Sequence, residues 1–198
     1  MPLSREDLWS LEQYAEKRTE FRDKVLEHKK NRNVLLTPNA RLIFEDELTL
    51  RYQIQEMLRI EKVFEADGIQ DELDAYNPMM PDGDNWKCTF MIEYGDVEVR
   101  RERLTQLIGI EDKIWMQVEG FDKVFAIADE DLERQNDVKT SAVHFMRFQL
   151  TPAMIIAAVD GAKVFAGSDH ENMHVSGLEL DTATRDSLVG DLQRPTLN

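Results

Sequence analysis

Gln53 and Glu56 stand one helical turn apart in YQIQEMLRIE, with Tyr52 and Arg59 nearby on the same side and apolar positions bordering the pair on both edges. A carboxylate in that place can act as a base or as a metal ligand. It can equally be a hydrogen-bonded anchor at the helix margin, with Glu56 paired to an arginine elsewhere. His144 is the matching acid/base candidate, because strand alternation through SAVHFMRFQL puts it on the row of Ala142, Met146, Phe148 and Leu150. A satisfied core histidine is the competing reading of that position. Gln53, Arg59 and Asn77 are the binding groups expected around this pair.

His170 and His174, in HENMH, are four apart. Two histidines at that spacing on a helix can share a metal, but Gly167, Ser168 and Gly177 argue against a rigid helix there. If His144, His170 and a carboxylate such as Glu56 or Glu93 converged, the set would suit non-haem iron or another divalent metal, since imidazole and carboxylate are ligands of such ions. No phosphate-binding loop, dinucleotide fingerprint, HExxH, GxSxG or CxxC occurs in the chain.

Whatever these residues do, the rest of the chain must position them. The sequence has 198 residues and a net charge of -15, with 42% hydrophobic and 32% charged residues. That suits one α+β domain over residues 1–198. The acidic excess is local: residues 1–44 carry a net +2, whereas residues 45–98 carry -11. Such a balance disfavours nucleic acid as a partner, because phosphate binding needs Lys and Arg, and it offers an acidic surface to a basic one. The single cysteine, Cys88, lies in the apolar run WKCTFMI and reads as a small buried hydrophobe. No run approaches the roughly 18 apolar residues of a membrane span. MPLSREDLWSLEQY lacks the apolar core of a secretory signal, so a cytoplasmic address is expected.

Periodicity predicts a long amphipathic helix over residues 6–30 within an N-terminal helical segment of about residues 4–32, then a hairpin-like unit over residues 33–44. A core helix over residues 48–64 is expected to close at Gly68, followed by a short acidic helix, an ordered YNPMMP turn and an apolar strand over residues 86–94. A helix stopped by Gly109, a hairpin from KIWMQV and KVFAIA, a loop or short helix over residues 129–137, the strand with His144 and a helix started by Thr151-Pro152 follow. Residues 163–166 suggest a strand, GSDHENMHVSG reads as irregular, and residues 182–193 read as a closing helix. The fold class is therefore α+β, a mixed or antiparallel sheet packed by several helices. Leu8, Trp9 and Leu11 could give the N-terminal helix a homodimer surface.

Phe44-Glu45, Tyr52 to Glu61, Glu72 to Pro81, Thr89 to Glu93 and Ser141 to Phe148 together resemble an uncharacterised bacterial family, domain-of-unknown-function family 3501. The resemblance covers nearly the whole chain and implies no established activity. It associates the chain with rubrerythrin-like and iron–sulfur oxidoreductase proteins, which implies a role in peroxide defence or electron transfer. HKKNRN and HENMH depart from the family pattern, so the resemblance carries no site role to Lys30, Arg32 or His174. The expected function is an accessory protein that binds such a partner through its acidic surface. The alternative is a small metal-dependent or acid/base enzyme with its site around Glu56, Asn77 and His144.

Overall fold

Ser4 and Asp7 do form a cap, the Asp7 carboxylate accepting the Ser4 backbone N–H at 2.8 Å, but it opens only the single 3-10 turn Arg5–Asp7. These are the first elements of a computed structural model that describes residues 2–130 and 139–195. The long helix α1 (Leu11–Lys30) starts later than residue 6, from a second box in which Ser10 and Gln13 bond each other's backbone N–H groups. Tyr14, Phe21 and Val25 make its buried face, and His28, Lys29 and Lys30 occupy the last turn, where the helix dipole favours cations.

β1 (Asn33–Thr37) and β2 (Ala40–Phe44) form the expected antiparallel hairpin. Asp46 then caps α2 (Glu47–Glu61) by accepting the Thr49 N–H. This helix closes at Lys62, whose φ of 56° is left-handed, and not at Gly68 as expected. Gly68 lies inside α3 (Ala66–Tyr76), where an added Cβ would come within 2.7 Å of the Val63 side chain. Its glycine serves close packing, a requirement that local turn signals do not reveal. The turn Asn77–Met79 leads to β3 (Asn85–Ile92), α4 (Val97–Gln106) and a left-handed Gly109 with φ of 79°, the predicted stop.

β4 (Ile114–Val118) pairs with β5 (Val124–Phe125), and the chain then passes at Ala126 into β6 (Ile127–Ala128), which pairs with β7 (Val143–Gln149). The run read as one strand thus serves two sheets. Most of the segment 129–137 lies outside the described residues. α5 (Pro152–Val159) begins with Pro at its first turn.

β8 (Val164–His170) and β9 (Met173–Glu179) overturn the irregular reading of GSDHENMHVSG: it is an antiparallel hairpin with a register shift between Ala166 and Ser168. Gly167 is needed because the Trp115 ring lies against it, and an added Cβ would meet Trp115 Cζ2 at 2.2 Å. The chain closes with α6 (Thr182–Val189).

Among the described residues the strands form two antiparallel sheets, ordered β1-β2-β3-β7-β6 and β5-β4-β8-β9. They share one core. Leu42, Phe44, Trp86, Phe90 and Phe148 enter it from the first sheet, Ile114, Met116, Val164 and Ala166 from the second, and Ile155 and Leu188 from α5 and α6. The fold is α+β, with the first sheet's opposite face turned toward α2 and α3. No helix among the described residues is long and apolar enough to cross a membrane.

Candidate functional site

Tyr14 and Arg18 are four apart on α1, so they meet α2 from one face and converge on Glu56. Arg18 donates Nε–H to Oε1 at 2.7 Å and Nη2–H to Oε2 at 2.9 Å, and the Tyr14 hydroxyl donates to Oε1 at 2.7 Å. Arg59, one turn along α2, adds a contact of 3.3 Å. The Arg18 bonds hold the Glu56 carboxyl down at about 2, overcoming the opposing effect of burial, while burial and then Glu56 push the Tyr14 phenol above its usual range. Glu56 is thus the arginine-paired anchor of α1 on α2. A carboxylate held this far down is a weak base and stays ionised at neutral pH.

Asn77 and Gln55 hold the N-terminal segment onto the helices through its backbone. Asn77 Oδ1 accepts the Leu3 N–H at 2.8 Å and its Nδ2 donates to the Leu3 carbonyl at 2.9 Å; Gln55 does the same for Trp9 at 2.7 and 3.3 Å. Each amide replaces the two bonds a neighbouring strand would make, so Leu3 and Trp9 keep both backbone groups paired. Trp9 packs edge-on to Phe21 with centroids 5.0 Å apart, and the Arg51 guanidinium sits 4.3 Å above its ring.

A groove of about 770 Å³ runs between this segment, the end of α2 and the start of α3, with Leu8, Leu11, Leu58, Val63 and Ile69 in its lining. Phe64 stands in its wall 72% exposed, and Ile60 is 61% exposed. Exposed Glu6 and Glu12 also line it, and Glu61, Glu65 and Asp67 are exposed beside Phe64 in the chain, against the cations Arg5 and Lys62. Leu8, Trp9 and Leu11, read as a homodimer surface, are all lining residues.

His144 is fully buried. Its Nδ1 lies 2.6 Å from Asp129 Oδ2, its Nε2 2.9 Å from Thr140 Oγ1 and 3.2 Å from the Ser141 carbonyl, and the Thr140 hydroxyl donates to Glu111 at 3.3 Å. His170 is on the other sheet and is held as one tautomer: Nδ1 accepts the Asn172 N–H at 3.1 Å, which leaves Nε2–H to donate to the Ile108 carbonyl at 3.1 Å. His174 pairs across the hairpin with Asp169, so the two histidines of HENMH belong to facing strands and not to one helix.

Glu56, His144 and His170 are bonded to three separate sets of partners. Among the described residues no group of three or more His, Cys, Asp or Glu is placed to hold a metal ion. Gln53 lies in a different groove, on the outer face of the first sheet.

Sequence reasoning missed Gln55 and a buried ionic cluster around Arg32. Arg32 donates to the Phe44 and Glu45 carbonyls, to Ser187 and, at 2.6 Å, to Asp191, and its Nε lies 3.4 Å from Asp46, which also meets His28 Nε2 at 2.5 Å. Burial pushes Asp191 up to about 6 despite Arg32. The readable signal was phase: Arg32, Val34 and Leu36 alternate inward together. Gln55 carried none, because its partner Trp9 is 46 residues away.

Residues 2–192 match the family described as Protein of unknown function (DUF3501). No curated protein matches the chain. A crystal structure of a novel protein of unknown function from Burkholderia pseudomallei K96243 is similar to this chain, with 49% identity, a TM-score of 0.93, and coverage of 98% of this chain and 100% of that one.

Proposed function

We propose, from the premise that the chain belongs to the DUF3501 family and shares its fold with a relative of unknown function, that it is a cytoplasmic accessory protein which docks a partner in the groove between its N-terminal segment and α2–α3. One observation carries the reading. An apolar channel with an exposed Phe64 in its wall carries Glu6 and Glu12 against Arg5 in its lining, and the exposed Ile60, Glu61, Glu65 and Asp67 adjoin it in the chain where α2 gives way to α3. Exposed apolar surface framed by charge is the form that partner sites take. The occupant it fits is an amphipathic helix with apolar residues at i, i+3, i+4 and i+7 and Lys or Arg on its flanks. The identity of the partner rests on the family resemblance, which points to a rubrerythrin-like or iron–sulfur oxidoreductase protein in peroxide defence or electron transfer. Glu56, Gln55 and Asn77 act in this reading by positioning the groove's walls. The alternative of a metal-dependent or acid/base enzyme draws on groups already committed to Arg18, Leu3 and Asp129.

Surface plasmon resonance against a rubrerythrin-like protein and an iron–sulfur oxidoreductase from the same organism tests the proposal. Binding is expected to weaken about tenfold or more in Phe64→Asp and Ile60→Asp, and to weaken with added salt. No binding to either protein, or binding untouched by Phe64→Asp, sinks it.

A further inference from the structure

Glu45 directly follows β2, ahead of the Asp46 cap of α2, and is only 8% exposed. Its Oε2 accepts the Thr49 hydroxyl at 2.6 Å and its Oε1 the Thr89 hydroxyl at 3.1 Å, and among the described residues no cation lies within ion-pairing distance of either oxygen. Arg32 reaches Glu45 through the backbone carbonyl, at 2.9 Å, and not through the carboxylate. A buried carboxylate whose charge has no counterpart is unusual, because such groups are ordinarily paired or hold a cation.

The surroundings supply the other half of a site. Glu45 lines a groove of about 320 Å³ between the outer face of the first sheet and α2–α3. Ile43, Met91 and Val143 present apolar surface there, on neighbouring strands of the register Ile43↔Thr89 and Met91↔Val143. Lys29, in the last turn of α1, lines the same groove half-buried. Its ammonium lies 6.0 Å from the centre of the Tyr52 ring and makes no ion pair among the described residues. The Gln53 amide, also in the lining, has no hydrogen bond among them either. Opposite charges that share a cavity without touching, above an apolar floor, leave room for a molecule that carries both complementary charges and an apolar body.

We propose that this groove binds a free α-amino acid with an apolar side chain. Its ammonium meets Glu45, its carboxylate meets Lys29 and the Gln53 amide, and its side chain lies on Ile43, Met91 and Val143. The volume suits a ligand at the lower end of small-molecule sites, which run from about 300 to 1,000 Å³. The site is separate from the partner groove and does not depend on it.

Isothermal titration calorimetry with L-leucine, isoamylamine (leucine without its carboxylate) and 4-methylpentanoate (leucine without its ammonium) tests this on the full chain. L-leucine is expected to bind one to one, with each truncated ligand about tenfold or more weaker, since each forfeits one charge-assisted contact. Lys29→Met is expected to abolish the preference over isoamylamine, and Glu45→Gln the preference over 4-methylpentanoate. Glu45 is buried, so Val143→Phe, which fills the groove from its floor, serves as a second variant that keeps both charges and blocks all three ligands. Absence of L-leucine binding at millimolar concentration overturns the proposal. So does isoamylamine binding as tightly as L-leucine, or unchanged L-leucine affinity in Val143→Phe.

Discussion

The helical layer of α1–α3 and the paired sheets are held together by different physics. In the sheets, Trp86, Phe90 and Phe148 are completely buried in one continuous apolar cluster that both sheets share with α4, α5 and α6. In the layer, the apolar clusters are small, one around Leu50, Ile54, Leu58 and Leu73 and another of Tyr14, Phe21 and Val25. The joints between them are individual polar contacts: Arg18 to Glu56, Asn77 to Leu3, Gln55 to Trp9. The sheets lose stability through volume, the layer through single bonds. Glu56 and Asn77, read in the sequence as candidate site residues, make the bonds that join the elements of this layer.

The strongest attack on this contrast is Phe90→Ala. Removing a fully buried ring should cost about 3–5 kcal/mol in urea unfolding. A loss below about 2 kcal/mol would mean the sheets are not held by their core.

Acid comes next. Glu56 has its folded pKa near 2, below the unfolded value of 4.5, so its contribution is present above 4.5 and is lost as pH falls toward 2. With the carboxylate 13% exposed, the loss across that window should be roughly 2 kcal/mol. Glu56→Gln should start less stable at neutral pH and show a shallower fall over the same range, by chemical denaturation at stepped pH. An equal acid slope in both proteins would remove Glu56 as a joint of the layer.

The smallest effect belongs to Gln55→Ala, which frees both backbone groups of Trp9. A cost of about 1–2 kcal/mol is expected. Hydrogen exchange should quicken at the N-terminal segment and leave β3 and β7 amides unchanged. Uniform quickening through the sheets would show that the two regions are one cooperative unit and blunt the contrast.

Most elements were legible because their signals are local. Gly109 after α4, Thr151 before Pro152, and the alternation through Val143–Gln149 need no knowledge of the rest of the chain. The errors fall where a distant residue decides. Gly167 looks like a loop residue until Trp115 is laid across it, and Gly68 looks like a helix stop until Val63 is packed against it. At the candidate site the polar margin of Gln53 and Glu56 was visible, but Arg18 lies 38 residues before Glu56, and Asp191 lies 159 residues after Arg32. Residue type marks a group that needs a partner. Only the fold says whether the partner belongs to the same chain.

The short passage through Val124–Phe125 and Ile127–Ala128 also has a consequence for solubility. β5 is an outer strand of one sheet and β6 an outer strand of the other, so five consecutive residues finish a border of both. Each border strand is two residues long, too short to template an incoming strand from another molecule. The passage from one sheet to the other at Ala126 therefore protects two sheets from fibrillar growth at once, and leaves β1 and β9 as the borders along which chain-to-chain strand pairing would begin among the described residues.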